Sequence, residues 1–137
     1  MSFGWEIDMN LLLDTHTFLW LRTTPEKIPP QVLNAYYDTT NVVFLSVVSI
    51  WEIQIKHQLG KLELNVPLKQ LIDLQLQQNS LEILPITSEH IYALNNLPFH
   101  HKDPFDRLLI TQSRLEGLKL ASADGIFEHY DVDLFWR

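Results

Sequence analysis

The sequence predicts an α/β protein of three layers, α/β/α, on a mostly parallel sheet of four to five strands. Three observations carry that reading. Short, continuously apolar runs recur along the chain. Segments of helical period separate them. Acidic residues stand at the edges of the apolar segments, as in Asn10-Leu-Leu-Leu-Asp14. Runs apolar at every position read as strands buried on both faces. Strands alternating with helices imply parallel pairing and helices on both faces of the sheet.

The elements follow in order. Asn10–Leu13 is the first buried strand, and a helix follows through Arg22. Pro25, Pro29 and Pro30 punctuate the next stretch. Pro30 opens a helix to about Asp38, with Val32, Leu33, Tyr36 and Tyr37 at helical spacing. Val42–Leu45 is the second strand. A helix spans about Val47 to Leu59 and stops at Gly60, suited to the residue just past a helix end. Leu68, Leu71, Ile72 and Leu76 mark a helix after Pro67. Leu81–Ile86 is a third strand, which Pro85 confines to its beginning or to a sheet edge. Ser88 caps a short helix to Asn95. Asp103-Pro104 opens a longer helix to about Leu115, ended by Gly117. Leu118–Ser122 is the fourth strand, and Val132–Trp136 is a candidate fifth.

A chain of 137 residues is expected to form one domain. Residues 9–137 are assigned to it, and residues 1–8 to an N-terminal extension ending at a second methionine, Met9. The 46% hydrophobic and 20% charged composition is that of an ordinary globular chain. The longest apolar runs fall far short of the ~18 residues of a membrane span, and no signal peptide is evident. The absence of cysteine excludes disulfides, thiolate catalysis and cysteine zinc sites, and fits a reducing cytoplasm, the expected location. A net charge of −7 argues against a simple electrostatic nucleic-acid binder. A bound cation would invert that sign locally.

Asp14, Glu52, Asp106 and Asp124 are the candidate site residues. A carboxylate beside a core is costly unless it is paired or holds a metal. Asp14 and Asp124 fall at strand ends, where open α/β sheets bind ligands; as caps or turn residues they would also be well placed. Ser49, Glu52 and Lys56 lie within about 60° of one another on an otherwise apolar helix. That stripe faces either solvent, as a simple Glu52–Lys56 pair, or a polar cleft. Asp103 before Pro104 reads as a cap. Asp106 sits in the first turn, where the helix dipole favours an acid, yet it shares a face with Leu109 and Ile110. His100 and His101 are adjacent, point in different directions and lack a third histidine at helical spacing, so no zinc site is expected of them. His16 is expected to bond locally or contact substrate. Trp20, Trp51, Phe105 and Phe127 read as core.

Four stretches carry a resemblance: Leu12-Leu-Asp-Thr-His-Thr-Phe-Leu-Trp20, Ser46-Val-Val-Ser-Ile-Trp-Glu-Ile-Gln-Ile-Lys56, His101-Lys-Asp-Pro-Phe-Asp-Arg-Leu-Leu-Ile-Thr-Gln112 and Ser122-Ala-Asp-Gly-Ile-Phe127. In this order they resemble the PIN-domain family, and within it the VapC-type toxin ribonucleases of type II toxin–antitoxin systems. Carried over residue by residue, the family's acidic site matches Asp14, Glu52, Asp106 and Asp124, with Asp103 at an additional acidic position. Ser122 stands where threonine is commoner and keeps the hydroxyl. Thr111-Gln112-Ser113 replaces a small-residue run. The resemblance implies hydrolysis of RNA to a 5′-phosphate and a 3′-hydroxyl. It also implies a homodimer and a small antitoxin covering the active site.

Oxygen ligands suit Mg²⁺, with Mn²⁺ an alternative. Asp14, Asp106 and Asp124 are the best ligand candidates, and Glu52 either joins them or orients the attacking water. Thr15, His16, Ser49, Lys56, Asp103, Arg107 and Ser122 are accessory candidates. Arg22, Lys56, Lys102 and Arg107 are the cations available to RNA. Two other phosphate-handling classes fail: a haloacid-dehalogenase-type phosphatase needs a second aspartate where His16 stands, and a receiver's acidic pair is missing. The rival is an inactive PIN-like scaffold or RNA-binding module.

Overall fold

The computed structural model describes residues 8–79 and 81–136. Except for Asp8, the assigned N-terminal extension lies outside the described residues. Four strands, β1 (Asn10–Leu13), β2 (Val42–Ser46), β3 (Glu82–Leu84) and β4 (Lys119–Ala121), form one all-parallel sheet in the order β3-β2-β1-β4. Among the described residues, six α-helices accompany them: α1 (Thr15–Thr23), α2 (Pro30–Tyr37), α3 (Val47–Gln58), α4 (Leu68–Asn79), α5 (Ser88–Ala93) and α6 (Pro104–Glu116).

The alternation of side chains along each strand divides the core in two. Leu11, Leu13, Val43, Leu45 and Ala121 face one cluster, which Phe18, Val32, Tyr36, Leu71 and Ile72 complete from α1, α2 and α4. Leu12 and Leu120 face the other, with Leu108, Leu109, Ile110, Leu97 and Phe127. Helices therefore cover both faces, and Leu11, Leu12 and Leu13 are wholly buried. This is the predicted α/β/α arrangement.

Local chemistry sets the boundaries. Ser46 ends β2 and caps α3, its hydroxyl accepting from Val48 N. Gly117 takes φ 66° at the end of α6, a left-handed conformation suited to glycine. β3 is an edge strand, and Pro85 follows it directly, which costs the sheet no internal hydrogen bond.

Two expectations change. Val132–Trp136 does not form a fifth strand: one parallel bridge joins Leu134 to Leu120, with hydrogen bonds from Leu120 N to Asp133 O and from Phe135 N to Leu120 O. β4 is only three residues long and offers little edge to pair with. The short helix α5 is capped by Thr87, not Ser88; Thr87 Oγ1 accepts from His90 N, while His90 Nδ1 accepts from Thr87 N.

Candidate active site

The chain steps from β1 outward to β2 and β3, then returns to place β4 on the other side of β1. Strand order thus reverses between β1 and β4, and such reversals open a crevice at the carboxyl ends of the strands. Asp14 follows β1 and Asp124 follows β4, so they flank it. A 240 Å³ pocket there is lined by Asp14, Thr15, His16, Glu52, Lys56, His101, Asp103, Asp106 and Asp124. The four acidic candidates, scattered over 110 residues of chain, share one cavity.

Each acid is held by its own element. Asp14 caps α1: its Oδ1 accepts from Thr17 N at 2.8 Å, and its Oδ2 accepts from the Ser122 hydroxyl at 2.6 Å. Ser122 Oγ also accepts from Asp124 N, tying the turn after β4 to the end of β1. Asp124 accepts from Ile126 N and is exposed. Glu52 is buried, and both of its oxygens are engaged. Oε1 accepts from Thr15 Oγ1 at 2.7 Å, and Oε2 accepts from Lys56 Nζ at 2.6 Å. Ser49 Oγ lies 2.9 Å from Thr15 Oγ1, behind the cavity. Asp103 caps α6 by accepting from Phe105 N and Asp106 N, as predicted, and still lines the pocket. Cap and pocket-lining roles are therefore compatible for Asp14, Asp103 and Asp124.

The helices are also tied together. Ser46, the cap of α3, donates to Gln112 Oε1 of α6 at 2.6 Å; Gln112 Nε2 donates to Pro85 O at 3.2 Å. This buried link connects the helix of Glu52 to the helix of Asp106. Thr111, Gln112 and Ser113 are all buried and hydrogen-bonded, which explains a polar run in the middle of a core helix.

The electrostatics follow from burial. Desolvation pushes the Asp14 carboxyl above its ordinary value, against the hydrogen bonds from Ser122 and Thr17. Asp106 is pushed up to about 6. Burial is the main cause, the hydrogen bond from His101 opposes it, and the charges of Asp103 and Glu52 add to it. Crowded acids with raised proton affinity suit a site completed by a cation. His101, Asp103 and Asp106 each offer a ligand atom, all within 4.8 Å of one another. The donor set, mostly carboxylate oxygen, fits a hard divalent ion.

Three residues depart from expectation. His101 belongs to the pocket: its Nε2 lies 2.8 Å from Asp106 Oδ2. Its partner is five residues ahead across a loop–helix junction, a spacing that helical periodicity does not signal. Arg107 does not line the pocket. It is buried, its guanidinium donates to the carbonyls of Leu94, Leu97, Pro98 and His101, and it stacks 4.0 Å over Phe99. Its charge secures the loop that carries His101 and is not displayed to a substrate. Trp51 is not core: it is 51% exposed and meets Phe105 edge-on at 5.1 Å, across α3 and α6. Trp20 is partly buried and Phe127 is buried, closer to expectation.

No curated protein matches the chain in sequence. Solved structures match its fold. VapBC2 from Rickettsia felis, bound to a DNA fragment from its promoter, matches with a TM-score of 0.72 and 16% identity, over 94% of this chain and 100% of that one. FitAcB from Neisseria gonorrhoeae matches with 0.58 and 21%, over 91% and 96%. A toxin–antitoxin complex from Klebsiella pneumoniae matches with 0.54 and 16%, over 88% and 92%. The PIN domain family model matches residues 11–133, nearly the whole chain and all four acidic positions. The chain belongs to the PIN-domain family.

Proposed function

We propose that this chain is a metal-dependent endoribonuclease, the toxin of a VapC-type toxin–antitoxin pair, acting in the cytoplasm. The observation that carries the reading is the single pocket lined by Asp14, Glu52, Asp106 and Asp124 at the strand-order reversal. Membership of a nuclease family supports it, as does the fold shared with a toxin–antitoxin complex. Residues 9–137 would be the functional domain.

Asp14, Asp106 and Asp124 would hold the ion, Mg²⁺ or Mn²⁺, with Glu52 either a fourth ligand or an orienter of water. When bound, the ion supplies Lewis acidity to the attacking water and to the phosphodiester. The chain's own residues prepare the site. Ser122 and Thr17 fix both oxygens of Asp14. Thr15 fixes Glu52, and the Asp103 cap orients the first turn that bears Asp106. In the reaction, the water oxygen bonds to phosphorus and the bond to the 3′-oxygen breaks. The leaving oxygen takes a proton, giving a 5′-phosphate and a 3′-hydroxyl. His16 lines the same pocket and is exposed, placed to touch RNA beside the cut.

The partners on this reading are RNA, a small antitoxin covering the pocket, and a second copy of the chain in a homodimer. Among the described residues no helix is long and apolar enough to cross a membrane. Expression in a bacterial host, with and without the neighbouring small open reading frame, tests the toxin reading. Growth arrest is expected, relieved by Asp14→Asn and by the neighbour. A harmless wild type expressed at the same level would refute it. Normal growth arrest by Asp14→Asn would remove the carboxylates from the mechanism.

A further inference from the structure

Five carboxylates line the pocket, from Asp14, Glu52, Asp103, Asp106 and Asp124, against a single ammonium, that of Lys56. A phosphodiester entering this cavity meets strong repulsion. Bound cation would offset part of it, but the carboxylates that hold the ion already consume that charge. The substrate anion needs a positive group of its own. Arg107 does not supply one, because its guanidinium is buried on loop carbonyls. Among the described residues, Lys56 is the one lysine or arginine lining the cavity.

Lys56 is also held in place. It sits one helical turn after Glu52, and its Nζ donates to Glu52 Oε2 at 2.6 Å, with its side chain 40% exposed. Glu52 is locked from the other side by Thr15 Oγ1, itself beside Ser49. The order is thus Ser49, Thr15, Glu52, Lys56, running from a buried hydroxyl to a half-exposed ammonium. An ammonium has three donors. One is spent on Glu52, leaving two at the cavity. The negative charge of Glu52 is already paired with that ammonium, which weakens its hold on a metal ion, whereas Asp14 accepts only from neutral donors, Thr17 N and the Ser122 hydroxyl.

We propose that Lys56 is the phosphate-binding residue of this site, and that Glu52 is a positioning residue that holds it, not a metal ligand. The proposal rests on the ribonuclease reading for the identity of its anion, and it replaces the two roles left open for Glu52 with a third.

The test separates RNA binding from metal binding. Binding of a fluorescein-labelled single-stranded RNA of mixed sequence is followed by anisotropy at several salt concentrations. The background is Asp14→Asn, so nothing is cleaved. Mn²⁺ binding is followed by calorimetry in the Asp14 wild type. Lys56→Gln is expected to weaken RNA binding about tenfold and to lower the salt slope by about 0.7, the loss of one phosphate contact. The same change is expected to leave Mn²⁺ affinity unchanged or to raise it, because a positive charge leaves the cavity. Glu52→Gln removes one repelling charge but releases the ammonium from its fixed position, so it is expected to lower the salt slope as Lys56→Gln does while Mn²⁺ still binds, and Lys56→Arg to restore most of the slope. Unchanged RNA affinity and slope in Lys56→Gln would overturn the proposal while leaving the nuclease reading intact. Loss of Mn²⁺ binding in Glu52→Gln would overturn the positioning role and make Glu52 a ligand. Failure of the Asp14→Asn protein to bind RNA at any salt would overturn both the proposal and the nuclease reading.

Discussion

Asp14 and Asp106 pay for their placement in proton affinity. Both are pushed above the ordinary carboxylate range by burial, Asp106 to about 6. Only the ionised form is a good ligand, so metal uptake must weaken as pH falls through this range. With metal below saturation, kcat/KM for RNA cleavage is expected to fall about tenfold between pH 7.5 and pH 5, as Asp106 takes its proton. A profile flat over that interval would contradict the assignment. The same shift makes a stability prediction. A carboxyl whose folded pKa lies above its unfolded value of 3.8 stabilises the fold fully below that value, and the contribution is lost as pH rises through about 6. The metal-free protein at pH 7.5 therefore carries an ionised Asp106 at a cost. Asp106→Asn, which mimics the protonated form, is expected to raise the metal-free Tm at pH 7.5. The gap should close toward pH 4, and a lower Tm at pH 7.5 would count against the account. A residue that destabilises its own fold while completing a pocket is what a functional acid looks like.

At the scale of elements, the loop before α6 matters as much as the helix. Arg107 reaches back from α6 to the carbonyls of Leu94, Leu97 and Pro98, and the Tyr130 hydroxyl accepts from His101 N. Together they fix the backbone that brings His101 onto Asp106. Arg107→Met keeps the apolar bulk but leaves buried carbonyls without donors. It is expected to cost about 2–3 kcal/mol in urea unfolding and to lower cleavage through His101. Wild-type stability would mean that those carbonyls find other donors. Nothing in the sequence signals this role: an arginine next to a site acid reads as substrate charge, and only the burial of Arg107 redirects it. Trp51 was hidden for a related reason. Helix α3 is apolar almost all round, and periodicity cannot tell which apolar side chain is left at the surface against Phe105. The strands were legible because β1 and β2 sit in the middle of the sheet and must be apolar on both faces. The C-terminal stretch Val132–Trp136 is also mostly apolar, apart from Asp133, but pairs through one bridge, since Lys119–Ala121 gives it little to pair with.

For the whole molecule, the strand order explains why residues so far apart meet. The reversal between β1 and β4 sets Asp14 beside the turn bearing Ser122 and Asp124, and α3 and α6 converge on the same end of the sheet through the Ser46–Gln112 bond. The acidic positions were legible because aspartate at a strand end is conspicuous. Their convergence was legible only through the ordered motifs, because spacing alone cannot say which strands are neighbours. A net charge of −7 fits a chain that concentrates acids where, on the proposed reading, a cation would complete them. The central claim is that these acids form one metal site for phosphodiester cleavage. It is tested most directly by chelator-stripped wild-type and Asp14→Asn proteins incubated with total cellular RNA, with and without Mn²⁺, mapping new 5′-phosphate ends. The account predicts new ends for wild type only with Mn²⁺, and none for a folded Asp14→Asn. Equal cleavage by both proteins, or wild-type cleavage that persists without metal, would contradict it.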